Sequence, residues 1–151
     1  MLTVRHENIM MILSYYLSRA NPTCRFTRNN PQFAFLFAGR NLRPNDLVCE
    51  WPNKPATLLD GTVYDPHCAS PKTPEAHIEA KKREKATTYG DLCRQRKLHF
   101  EPLIFSSFGA IAPDSMKIMR MLFGVTRPGT DAKVDPVINI YSTFFIFAAH
   151  R

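Results

Sequence analysis

Between residues 56 and 109, two runs with strand character enclose a long charged helix, and this order constrains the fold more than any other feature. "ATLLDGTVYD" (56–65) and "HFEPLIFSSFG" (99–109) are rich in β-branched and aromatic residues and end at turn formers. Between them, "EAHIEAKKREKATTYGDLCRQRK" (75–97) has helical composition, with Pro74 near its start. A sheet flanked by helices follows, and hence an α+β chain. Upstream, Ile9, Ile12, Leu13, Tyr16 and Leu17 recur at helical spacing from about Glu7 to Ala20, and Asn21-Pro22 ends the segment. "FAFLFAG" (33–39) reads as a buried strand and "DLVCEW" (46–51) as another, closed by the turn "PNKP". A brief helix is expected around Ser115 to Leu122. Four strands in a mixed sheet result, in a single domain over 1–123, with a tail over 124–151 in which periodicity does not separate helix from strand.

Charge and cysteines narrow the class of partner. Twenty Lys plus Arg against thirteen Asp plus Glu leave a net charge of +7, which favours polyanions. Cys24, Cys49, Cys68 and Cys93 are widely spaced and form no zinc pattern, so reduced thiols and an intracellular site, nuclear or cytoplasmic, are expected. The apolar stretch "VINIYSTFFIFAA" (137–149) is shorter than the roughly 20 residues of a membrane span and contains Asn139, Ser142 and Thr143, so no membrane association is expected. No phosphate-loop or dinucleotide glycine motif is present.

Two aspartates stand where strands favour apolar residues. In an alternating strand Leu58, Asp60, Thr62 and Tyr64 share one face, while Leu59, Gly61 and Val63 share the other. A lone strand aspartate is most often an edge residue or a turn former, and Asp46 could simply open its strand. On the helix, Ile78, Lys82, Lys85, Tyr89 and Leu92 fall within about 80° of one another at 3.6 residues per turn. Lys82 and Lys85 are therefore expected on the side turned toward the sheet, unless their stems carry the ammonium groups out to water. Carboxylates that hold a divalent cation and a lysine that steadies a phosphate are the parts of a nuclease site.

The succession "RPND" (43–46), "DGTV" (60–63), "KREKATTYGDLC" (82–93) and "FEPLIFSSFG" (100–109), led by "VRHENIM" (4–10), resembles the restriction-like, PD-(D/E)XK-type endonuclease module of non-LTR retrotransposons and their degenerate reverse-transcriptase-like relatives. The likeness spans roughly residues 4–123 and implies a restriction-endonuclease-like fold, possession of a Mg²⁺ cofactor and hydrolysis of DNA phosphodiesters. It implies Asp46 and Asp60 as metal ligands, Lys85 as the first lysine of a K-x-x-K-Y pattern and Tyr89 as its tyrosine. Thr88 stands where that pattern has its second lysine, and Lys82, one turn earlier, is the candidate substitute. Ser106 and Ser107 occupy positions where the family commonly has an acid, and "CRFTRNNPQF" lacks another. Arg43, Arg83, Arg94, Arg96 and Lys97, with Arg40, would grip DNA, or RNA, through its phosphates. The alternative is a catalytically inactive nucleic-acid-binding remnant of a retrotransposon-derived protein. Oligomeric state and target sequence stay open.

Overall fold

Helix α1 (Leu2–Ala20) earns its place through one stripe. Met10, Leu13 and Leu17 are fully buried, and burying each stabilises the fold by roughly 2 kcal/mol. Its end is tied down at Asn21, whose backbone N–H donates to Leu17 O and whose side-chain amide donates to Leu122 O. This computed structural model describes residues 2–34, 46–67 and 73–123. No helix among the described residues is long and apolar enough to cross a membrane.

The chain is an α+β fold, and among the described residues it has a four-stranded mixed sheet in the order β1-β2-β3-β4: β1 (Arg25–Thr27), β2 (Leu47–Glu50), β3 (Thr57–Tyr64) and β4 (His99–Ser106). The first three strands are antiparallel neighbours, and β3 pairs with β4 in parallel from Thr57↔His99 to Tyr64↔Ser106. Parallel neighbours need a crossover. It is supplied by helix α3 (Pro74–Lys85), a π-helical turn (Ala86–Gly90) and helix α4 (Asp91–Gln95). Thr73 caps α3, its hydroxyl accepting from Ala76 N–H, and Pro74 fits the first turn, where its missing N–H costs nothing.

Side-chain alternation on β3 sorts two cores. Leu59 joins Leu47, Cys49, Leu103 and Phe105 beneath α1 and helix α5 (Pro113–Leu122), whereas Leu58 joins Val48, Cys93 and Phe33 on the other face. With helices on both faces, β3 is buried from Thr57 through Gly61, which makes an aspartate in its middle costly. At the outer edge of β4, Ile104 N–H donates to Ser115 Oγ at 2.8 Å and Ile104 O accepts from Ala112 N–H, so the edge is covered. Pro102, two residues before Ile104, turns its missing N–H the same outward way and costs no ladder bond.

Two elements differ from the expected ones. Phe33 and Ala34 belong not to a strand but to a short helix, α2 (Pro31–Ala34); residues 35–39 of that run lie outside the described residues. Asn30 decides the matter locally: its side chain accepts from Gln32 N–H, and Pro31 is pre-set for a first helical turn. Among the described residues, the strand beside β2 is β1, three residues whose Phe26 meets Trp51 edge to face at 6.0 Å. The tail over 124–151, Arg40, Arg43 and Cys68 lie outside the described residues.

Candidate active site

Asp60 lies in the middle of β3 and turns toward the α3 side, as alternation predicts, with only 3% of its surface exposed. Lys85, the last residue of α3, brings Nζ to 2.6 Å from Asp60 Oδ2. Burial is the largest influence on Asp60 and the nearby Asp46 charge the next; against the pull of Lys85 they push its carboxyl up to about 7. On Lys85 burial is the largest single influence and favours the neutral amine, yet the charge and hydrogen bond of Asp60, with smaller help from Tyr89 and Asp46, together outweigh it and hold the ammonium above its ordinary range.

Asp46 immediately precedes β2, and continuing the strand register by one residue sets it opposite Asp60. Its Oδ2 accepts from Gly61 N–H and from His6 Nε2, each at 2.8 Å. Burial raises this carboxyl too, but the hydrogen bond and charge of His6, the Gly61 amide and a hydrogen bond with Asp60 hold it below the usual range. The two acids therefore part company, with Asp46 ionised and Asp60 near the midpoint of its titration at neutral pH. Such a separation is typical of carboxylates at reactive sites.

The dipeptide Asp60-Gly61 serves both faces of the sheet. Gly61 faces α1, where an added Cβ would fall 2.8 Å from Met10 Sδ and 3.2 Å from His6 Nε2. Because glycine leaves that space empty, α1 lies close over β3 and His6 reaches Asp46.

Of the two helix lysines, one enters the site. Lys82 is turned to Asp114 at the start of α5, with which it pairs, and has Glu79 at 3.8 Å. Tyr89 is buried on the π-helical turn; its ring packs on Phe100 at 5.4 Å and lies 5.4 Å from Lys85 Nζ. Thr88 donates its hydroxyl to Glu84 O. The wide turn shifts the helical phase, so that the fully buried residue downstream is Cys93, while Leu92 is half-buried. A π-turn inside a helix is often found at a functional site.

The remaining candidates lie farther out. Arg83, Arg94, Arg96 and Lys97 are exposed, with Arg94 paired to Asp91 at 2.8 Å. Ser106, paired with Tyr64, stands four residues along the ladder from the partner of Asp60, about 13 Å away at strand rise. Its hydroxyl accepts from Ala110 N–H and closes the turn after β4. The thiols of Cys49 and Cys93 are buried and pushed up to about 12 and about 11, which makes both poor nucleophiles. Among the described residues, no group of three or more His, Cys, Asp and Glu side chains is arranged to hold a metal ion.

His6 is the site residue that sequence reasoning passes over. Its partner is 40 positions away, and the only local hint is that position 6 continues the buried stripe of Met10, Leu13 and Leu17. Compared with known proteins, the chain matches no family model and no curated sequence.

Proposed function

We propose that this domain is a restriction-like endonuclease that hydrolyses DNA phosphodiesters with Mg²⁺. The observation that carries the reading is the convergence of Asp46, Asp60 and Lys85, drawn from three separate elements, with Asp60 buried and the two carboxyls within hydrogen-bond reach. Burying two acids side by side is unfavourable for the fold by itself, so the arrangement calls for a counter-charge.

The donor set fits a hard cation. Asp46 and Asp60 offer carboxylate oxygens, and Mg²⁺ is commonly held by one or two carboxylates, with water and phosphate oxygens completing its shell. Bound there, the ion supplies Lewis acidity toward the phosphoryl oxygen and acidifies water. Asp46, already ionised, provides the constant charge; Asp60 must lose its proton for the ion to bind. The Lys85 ammonium lies beside Asp60, where it would meet negative charge building on the phosphate. Arg83, Arg94, Arg96 and Lys97 would hold the backbone on either side, consistent with the net charge of +7.

A second reading has its own support. Lys85 already answers the charge of Asp60, and Ser106, where the family commonly has an acid, is used in a turn. A nuclease remnant that binds nucleic acid without cutting it would look the same.

Incubating supercoiled plasmid with the protein and Mg²⁺ or Mn²⁺, beside Asp60→Ala, separates the two. Metal-dependent nicking lost in the variant supports the nuclease. Nicking that survives in Asp60→Ala sinks the assignment, and salt-sensitive DNA binding without nicking by the wild type favours the remnant.

A further inference from the structure

We infer that His6 is the positioning residue of the Asp46 carboxylate, turning a side chain at the open start of a strand into a ligand of fixed orientation; the inference rests on the nuclease reading above.

Asp46 precedes β2 by one residue, so the sheet ladder does not fix its side chain. Two donors do. Gly61 N–H and His6 Nε2 both lie 2.8 Å from Oδ2, and a carboxylate oxygen has two lone-pair sites. Oδ2 is thereby filled, which leaves Oδ1 for the hydrogen bond with Asp60 and, once Asp60 has lost its proton, for a cation. Asp46 is thus prepared to bind through one oxygen, in one direction.

His6 is itself held from behind. Its Nδ1 lies 3.4 Å from Glu7 Oε1, and Glu7 pairs through its other oxygen with Arg28 in the turn after β1. On its inner side the imidazole lies over Gly61, in space that any β-carbon would crowd. The line Arg28, Glu7, His6, Asp46 therefore links the turn after β1, the first turns of α1 and the start of β2. Position 6 also continues the buried stripe of α1, where an aliphatic side chain would serve the core better. A buried-stripe histidine can be merely a satisfied core residue, and the test has to separate that role from positioning.

The measurement is Mn²⁺ binding by titration calorimetry on the whole chain, with far-UV circular dichroism as a check on folding. His6→Leu keeps similar volume on an apolar face but cannot donate; His6→Gln keeps a donor. Loss of the hydrogen bond should weaken Mn²⁺ binding about tenfold in His6→Leu, the low end for outer-shell partners of metal ligands. His6→Gln should recover most of it, and His6→Leu added to Asp46→Ala should change nothing further. The Mg²⁺ concentration for half-maximal nicking should rise in parallel. Wild-type affinity in His6→Leu, no recovery in His6→Gln, or an undiminished effect in the Asp46→Ala background each overturns the inference while leaving the nuclease reading intact. A wild-type protein that binds no Mn²⁺ overturns both.

Discussion

Asp60, which is buried, and Lys85, which is partly so, form an ion pair, 2.6 Å from Oδ2 to Nζ, joining the middle of β3 to the last residue of α3. A lysine so close ordinarily depresses a carboxyl, yet this one is pushed up to about 7 because burial and Asp46 outweigh it. The pair only partly offsets the cost of placing the acid there, and that has measurable consequences.

The first concerns pH. Asp60 titrates higher in the fold than the 3.8 expected for a free side chain, so the folded protein binds its proton more tightly than the unfolded chain does. The stability this contributes is complete below about pH 4 and is lost as pH rises through about 7. Asp46, shifted downward, acts in the opposite sense, and its contribution is lost only in acid. Asp60→Asn should therefore exceed wild type at pH 8 by on the order of 2 kcal/mol, with the gap closing toward pH 4. Urea unfolding at both pH values reads this directly, and a variant weaker than wild type at pH 8 would mean that pairing with Lys85 dominates.

Lys85 and Lys82 should separate cleanly. Lys85→Met should cut metal-dependent nicking about a hundredfold or more, the usual cost of removing one group that answers developing charge. Lys82→Ala, which removes a half-exposed pairing with Asp114, should leave nicking within about twofold and stability within about 1 kcal/mol. Equal losses in both would show that the two lysines act together.

Gly61→Ala tests the close approach of α1. A methyl group 2.8 Å from Met10 Sδ obliges a fully buried thioether to move, at a cost of about 1–3 kcal/mol. Met10→Ala in the same chain should reduce that cost, since the two sites share one space. Denaturant midpoints of the four proteins in the cycle decide it, and strict additivity would place the strain elsewhere.

Ser115→Ala removes the partner of Ile104 N–H at the covered edge of β4 and should destabilise by about 1–3 kcal/mol. Amide exchange at Ile104 should quicken more than at Leu103, whose N–H turns inward toward β3 and does not depend on Ser115.

Local rules made much of this arrangement readable. Asp60 faces the helix because strand alternation has period two, and Lys85 meets it because α3 is regular up to that residue. Lys82 looked equivalent on the wheel, but the wheel ignores position along the axis, where Asp114 arrives from 32 residues farther on. His6 was hidden for a similar reason, since its role exists only when Gly61 lets α1 close over β3. β1 is three residues long and carries no usable period, while Asn30-Pro31 sets Phe33 and Ala34 in a helical turn where the apolar run predicts a strand.

The π-helical turn at Ala86–Gly90 divides one helix into two frames of reference. Residues before it take their orientation from Asp60, and residues after it take theirs from the hydrophobic contacts of Cys93. In an uninterrupted helix each residue turns its successors by about 100°, so a better fit at one end would be a worse one at the other. The widened turn uncouples these demands. Changes beneath α4 can accumulate without swinging Lys85 off its aspartate, and the charged cluster can be altered without reopening the apolar layer behind it.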